Sequence, residues 1–263
     1  MRATVDGLIL RESAVGESDK LLTLLTAEHG KMTLLAKGAR SIKSKNLSVC
    51  RPLTYGNFEY YEKNGMHWLS SGSPHTAFFA NPSDLEDFFL AVYISDVACE
   101  ITGEGVDASA VLRMTLNTLY AIEKKLKPRE MIKGVFELFA ASHSGFTPDL
   151  SACRECGDDK AESFYIDVMN GSCLCSECVK RSGGAAAELD RFEARNILLP
   201  LSASALAAAR YVLTAKGSRI FAFELKQQSD IDDLSRFGET YLHNHLERGF
   251  DTLEFYRNVS KPL

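Results

Sequence analysis

The chain has 263 residues, of which 45% are hydrophobic and 25% charged; this is ordinary globular usage, which excludes a largely disordered chain, and it is long enough for more than one core. Lys and Arg number 30 against 35 Asp and Glu, a net charge of −5, so no overall basicity points to nucleic acid. An acid at position 6 with no signal-type apolar run behind it, and no stretch near the roughly 20 apolar residues of a membrane helix, lead to the expectation of a cytoplasmic protein that is neither exported nor inserted.

The average charge conceals an asymmetry. Residues 1–80 carry ten Lys and Arg against seven Asp and Glu, a net +3, and the remainder nets −8. Short apolar runs at 7–12, 20–26, 31–36, 58–62 and 66–70 predict five strands. Asn64-Gly65 supplies the positive φ angles of a type I′ hairpin between the last two. Gly30 and Gly38 mark further turns, and five short strands suit a small closed barrel over 1–80.

Between His29 and Phe58 this region has no acid but holds Lys31, Lys37, Arg40, Lys43, Lys45 and Arg51. Six cations in a turn-rich stretch form a ready site for phosphates, whose counterions are released on binding. Tyr55, Phe58, Tyr60, Tyr61 and Trp68 follow, and alternate members could stack on unpaired bases. The plainer expectation for such residues is a solvated basic surface and core aromatics.

From residue 81 the period becomes helical. Ser83-Asp84-Leu85-Glu86 has capping-box form, and Leu85, Phe88, Phe89 and Val92 share one face of a helix running to about Thr102. A second helix starts near Asp107 and turns Val111, Leu112, Thr115, Leu116, Leu119 and Ile122 inward. A third carries Met131, Ile132, Val135, Phe136 and Phe139 and ends at Gly145. Three successive amphipathic helices predict a bundle over 81–148. After a cysteine-rich segment at 149–182, helical periodicity returns beyond Gly183-Gly184, and again after a candidate capping box at Ser229-Asp230-Ile231-Asp232. Residues 183–263 are therefore expected to pack on the bundle.

Cys153-Arg154-Glu155-Cys156 and Cys175-Ser176-Glu177-Cys178 are two C-x2-C knuckles with eighteen residues between them, inside the window of paired-knuckle zinc sites. A two-residue spacer lets both thiolates of a knuckle reach one ion at about 2.3 Å, and two knuckles complete a tetrahedron. Phe164 to Asp167 and the turn Asn170-Gly171 would bring them face to face as a zinc ribbon. Four protein ligands leave no open position, so one structural zinc ion is expected. Arg154, Lys180 and Arg181 are candidates to offset the thiolate charge. Cys173 could replace Cys175 in a C-x4-C knuckle, although Cys175 keeps the two-residue spacer in both. Cys50 and Cys99 read as buried apolar thiols, and disulfides do not suit seven cysteines in a chain without an export signal.

Enzymatic signatures are missing. No G-x4-G-K-[ST] phosphate loop occurs, since Lys216-Gly217-Ser218 lacks the preceding glycine. Asp230, Asp232 and Asp233 suit the first turn of a helix by the helix dipole alone. No catalytic residues are assigned, and no enzyme activity is expected.

The series Leu8-Ile9-Leu10-Arg11-Glu12, Gly16-Glu17-Ser18-Asp19-Lys20-Leu21, Thr26-Ala27-Glu28-His29-Gly30-Lys31 and Ala36-Lys37-Gly38-Ala39-Arg40, joined to the two knuckles, resembles the RecO family of bacterial recombination mediators. The resemblance spans almost the whole chain. It implies an α+β multidomain protein, an N-terminal OB-fold barrel followed by a helical domain carrying a four-cysteine zinc ribbon. The function it implies is non-catalytic. Such proteins bind single- and double-stranded DNA, anneal complementary strands and, with RecR, help RecA replace single-strand-binding protein. Lys31, Lys37, Arg40, Lys43 and Lys45 then match the family's DNA-binding cations. The tail of single-strand-binding protein would need a groove edged with cations, for which Lys124, Lys125, Arg129 and Lys133 are the candidates. A nucleoid-associated location follows from the same resemblance. The alternative is a zinc-ribbon adaptor that gathers proteins and touches DNA only incidentally.

Overall fold

The computed structural model describes residues 2–82, 84–181, 197–215 and 217–260. The chain divides into two units: the first runs through Leu126 and resumes at Phe250, and the second is Lys127–Gly249.

In the first unit the five expected strands are β1 (Arg2–Val15), β2 (Asp19–Thr26), β3 (Gly30–Ala36), β4 (Thr54–Lys63) and β5 (Met66–Ala77). They close into a barrel of order β1-β2-β3-β5-β4. Within it only β3 and β5 pair in parallel, through Leu34 with His67 and Leu35 with Trp68. Asn64 and Gly65 turn β4 into β5 at φ of 54° and 71°, the left-handed angles the dipeptide predicts.

Side chains alternate across a strand, so Ile9, Leu22, Leu24, Met32, Leu34, Phe58 and Leu69 fill the barrel. Leu8 and Leu10 flank Ile9 on the opposite face yet are also buried, because α1 (Leu85–Glu100) lies over β1. An Arg11–Asp96 ion pair joins the same two elements. The apolar run Leu8-Ile9-Leu10 is thus a strand covered on both faces. Gly30 has φ +61°, and a Cβ there would stand 2.2 Å from the Gly103 carbonyl oxygen. Only glycine lets that loop cross the start of β3.

Asp84 caps α1, its carboxylate accepting from the amides of Glu86 and Asp87; Ser83, the expected cap, lies outside the described residues. α2 (Ser109–Glu123) packs on α1, and so does the last helix of the chain, labelled α7 below (Asp251–Val259).

The second unit holds α3 (Arg129–His143), the strands β6 (Asp149–Cys153), β7 (Ser163–Asp167), β8 (Ser172–Cys175) and β9 (Leu198–Ser202), then α4 (Ser176–Arg181), α5 (Ala203–Thr214) and α6 (Gln228–Leu246). Here the architecture departs from expectation. The three helices of 81–148 do not belong to one bundle. α1 and α2 lie in the first unit with α7, and α3 lies in the second, where it packs on α6 and α5. The reason is visible in two glycines. A Cβ on Gly134 would approach the Ser235 Cα to 2.8 Å, and one on Gly238 would approach the Gly134 carbonyl oxygen to 2.6 Å. Those helices touch backbone to backbone.

The ribbon sheet has order β6-β8-β7-β9, so it extends past the expected limit at 182. Pro200 sits in β9, an edge strand, the place in a sheet where a residue without an amide hydrogen is tolerated. The Gly183-Gly184 boundary lies outside the described residues. Ser229 falls inside α6, whose N-cap is Gln227. Among the described residues no helix is long and apolar enough to cross a membrane.

Candidate nucleic-acid interface and metal centre

The connection from β3 to β4 carries most of the predicted cations, and its own apolar residues decide which way they point. Ala39, Val49 and Cys50 belong to the barrel core. Leu53 is buried as well, and its amide donates to the Ile9 carbonyl at 2.9 Å. Short turns link these anchors, with Ser44 N bonded to Ser41 O, Leu47 N to Ser44 O and Cys50 N to Asn46 O. With the anchors turned inward, Lys37, Arg40, Lys43, Lys45 and Arg51 are all exposed.

A second set of contacts joins this loop to the β1–β2 turn. Arg40 donates its backbone amide to Ser18 O at 3.0 Å and its Nη1 to Gly16 O at 3.0 Å. Asp19 Oδ1 accepts from the Gly38 amide at 2.8 Å, and that bond, with a second from Ser18, holds the Asp19 carboxyl below its ordinary range. Lys20 Nζ donates to Cys50 O at 3.2 Å and to Glu12 Oε2 at 2.6 Å. Lys37 lies over the Trp68 ring at 5.0 Å, and Arg51 Nη2 donates to Ala80 O at 3.3 Å.

Lys31 is placed apart from this group. It is half-buried near the start of β3 and lines a cleft of about 510 Å³ with His29, Tyr60, Met66, His67 and Glu104. Of the aromatic candidates Phe58 is core, while Tyr55, Tyr60, Tyr61 and Trp68 are half-buried. Tyr55 packs on His75 and Tyr60 on His67. Lys20 is not among the cations that the sequence singles out. Standing alone in an apolar strand, it carries no signal of the loop it reaches.

The four cations assigned to a protein-tail groove are divided between the units. Lys124 pairs with Glu123 at 3.6 Å, and Lys125 with Asp84 at 2.9 Å and Asp87 at 3.4 Å. Arg129 opens α3 and is half-buried. Lys133 departs from the expectation outright: it is 5% exposed, and its ammonium lies 3.1 Å from Glu137 Oε2 and 2.8 Å from Glu239 Oε2. Its charge is neutralised inside the unit and does not edge a groove. The acidic trio is likewise engaged locally, Asp230 with the Ser202 hydroxyl, Asp232 with the Gln228 amide group, and Asp233 with Ser202 N and Arg236.

In the ribbon, the sulfurs of Cys153, Cys156, Cys175 and Cys178 lie within 4.8 Å of one another. The β7–β8 hairpin makes the juxtaposition, pairing Phe164 with Cys175 and Ile166 with Cys173. Cys156 and Cys175 Sγ stand 3.6 Å apart, close to the edge of about 3.8 Å that sulfurs at about 2.3 Å from a tetrahedral ion define. The donor set therefore fits one metal ion. Burial opposes ionisation of Cys153, but the amides of Cys175, Cys156 and Glu155 outweigh it and hold this thiol at about 6. Burial, then the neighbouring thiols, push Cys178 up to about 12. A divalent cation removes that mutual opposition. Arg181 Nη2 reaches Cys178 Sγ at 2.8 Å, as a charge-compensating residue should. Arg154 instead pairs with Asp167 at 2.6 Å, and Lys180 with Glu177 at 3.1 Å. Cys173 turns to the Ala152 carbonyl at 3.1 Å and stays outside the cluster.

The closed barrel of order β1-β2-β3-β5-β4 has the architecture of the small five-stranded barrels that bind oligonucleotides and oligosaccharides, and here it precedes a helical region that carries a four-cysteine cluster able to hold a metal ion. The description "Recombination protein O N terminal" fits residues 1–78, and "Recombination protein O C terminal" fits residues 82–254. The chain belongs to the RecO family of DNA repair proteins. It is 29% identical to the DNA repair protein RecO of Acetivibrio thermocellus over 97% of this chain and 96% of that one. Identity to the RecO of Alkaliphilus metalliredigens is 25% over 98% of this chain and 100% of the relative. With the RecO of Clostridium perfringens it is 29% over 67% and 72% respectively.

Proposed function

We propose that the protein is a non-catalytic DNA-binding mediator of recombinational repair. It binds single- and double-stranded DNA through the β3–β4 loop, anneals complementary strands and, with RecR, helps load RecA onto DNA coated by single-strand-binding protein. Family membership supports the repair role. The observation that carries the DNA contact is the anchored loop, with five exposed cations on a segment tied to the barrel core by Ala39, Val49 and Cys50. The metal held by Cys153, Cys156, Cys175 and Cys178 is, in this reading, one structural zinc ion. Four thiolates are a closed set for that ion, and its contribution is to hold the ribbon in shape. The working place is the cytoplasm, at the nucleoid.

The test is a salt series of binding to an oligothymidylate, combined with strand annealing, for the wild type and Arg40→Glu/Lys43→Glu. Each phosphate that is no longer neutralised should lower the slope of log affinity against log salt by about 0.7 on a single strand. Two such phosphates therefore predict a decrease of about 1.4, with affinity down at least tenfold. An unchanged slope and affinity would remove the barrel loop from the mechanism.

A further inference from the structure

Beside the exposed face of the loop lies a groove of about 590 Å³, walled by Lys20, Lys45 and Arg51, with the hydroxyls of Ser44 and Ser48 and the apolar surfaces of Leu47 and Pro52. One anion lines it, Glu12. The composition suits a sugar–phosphate backbone, with cations and hydroxyl donors for the phosphate oxygens and short apolar walls for the sugar. Glu12 stands where a phosphate would. Its Oε2 is 2.6 Å from Lys20 Nζ, and Lys20 is held in the groove independently by the Cys50 carbonyl at 3.2 Å.

We infer that this groove is a phosphodiester site and that Glu12 is its internal counter-anion, occupying Lys20 until a backbone phosphate of single-stranded DNA replaces it. The inference rests on the proposed DNA contact and adds to it a specific track and a residue that opposes binding. Three features make the exchange workable. Lys20 keeps its position when Glu12 leaves, because the Cys50 carbonyl remains. The Glu12 side chain is about a third exposed, against 15% for Lys20, so the carboxylate can turn to water while the ammonium stays. Ser44 and Ser48 offer donors that a carboxylate on the β1 side does not use. Glu12 is therefore a positioning and attenuating residue, setting how many cations are free to meet DNA.

The experiment uses the full chain and an oligothymidylate, titrated at several salt concentrations. Glu12→Gln keeps the side chain's size and removes its charge. It should raise affinity about three- to tenfold at low salt and steepen the salt slope by about 0.7, the increment of one further neutralised phosphate on a single strand. Glu62→Gln, at an exposed site on β4 away from the groove, controls for the change in net charge and should leave the slope unchanged. Adding Lys20→Met to Glu12→Gln should abolish the gain. A Glu12→Gln protein that binds no better than Glu62→Gln, or worse, overturns the inference. Ser48→Asp reads the same groove from its exposed wall and should weaken binding about tenfold through like-charge repulsion of the phosphate; native affinity in that variant equally overturns it. Both results leave the proposed function standing if Arg40→Glu/Lys43→Glu still shows its reduced salt slope and affinity, so the two ideas fail separately.

Discussion

Val49→Asn tests whether the cations act as an ordered loop or merely as local positive charge. Val49 is fully buried, and its methyls meet β5 so closely that a Cβ on Gly72 would stand 3.0 Å from Val49 Cγ1. Replacing it forfeits about 1.5–3 kcal/mol of burial and brings in an amide that costs about 1–3 kcal/mol more without a partner. The total of about 4 kcal/mol is nearly a thousandfold in the docking equilibrium of the loop. Amide hydrogen exchange should then accelerate at Ser44, Leu47 and Cys50, whose donors close the loop's turns, while β2 and β3 amides keep most of their protection. Affinity for an oligothymidylate should drop at least tenfold, because only the docked fraction binds well. The salt slope should stay near its native value, since every cation is still present. Native affinity alongside fast loop exchange would refute the argument that anchoring is what makes the loop a binding site.

The ribbon and the second unit supply further outcomes. Purified protein should hold one equivalent of zinc by elemental analysis; Cys173→Ala should retain it, and Cys175→Ala should lose it. Gly134→Ala should destabilise the second unit by about 1–3 kcal/mol in urea denaturation, since overpacking against Ser235 and Leu234 exceeds the gain of about 1 kcal/mol in helix propensity. Cys50, whose thiol burial pushes up to about 11, should resist alkylation at pH 8 until denaturant is added, as both the low thiolate fraction and lack of access slow the reaction.

How far the chain is legible differs between its parts for physical reasons. Strand positions are readable because a barrel strand imposes a period of two on its own side chains, and Asn64-Gly65 because few dipeptides tolerate φ of 54° and 71°. The cysteine cluster is readable because metal geometry constrains spacing within each knuckle. The partners of amphipathic helices are not. The periodicity of α3 states that one face is buried without stating against what, and its partner α6 begins almost a hundred residues later. Gly134 and Gly238 select that pairing by close approach, which a pattern of apolar positions does not register. Lys133 misleads for the same reason: its partner Glu239 comes from the distant helix, so in sequence it resembles any surface lysine.

The basic stretch shows where reading along a chain and reading across a surface diverge. Lys31 and Lys37 are close neighbours in sequence, but an extended strand separates six residues by about 20 Å. Lys31 thus faces a different cleft from the loop. Lys20, far away in sequence, is brought to the loop by the pairing of β1 with β2 and by one bond to the Cys50 carbonyl. Counting charge along the chain locates the positive segment but cannot say which cations act on one stretch of backbone. That grouping is set by strand register, by the apolar anchors Ala39, Val49 and Cys50, and by the acid, Glu12, that the barrel turns into the groove. On the proposed DNA contact, such an interface is tuned as much by what neutralises its cations as by how many there are. Charge changes at Glu12 and at Arg40 should therefore move DNA affinity in opposite directions.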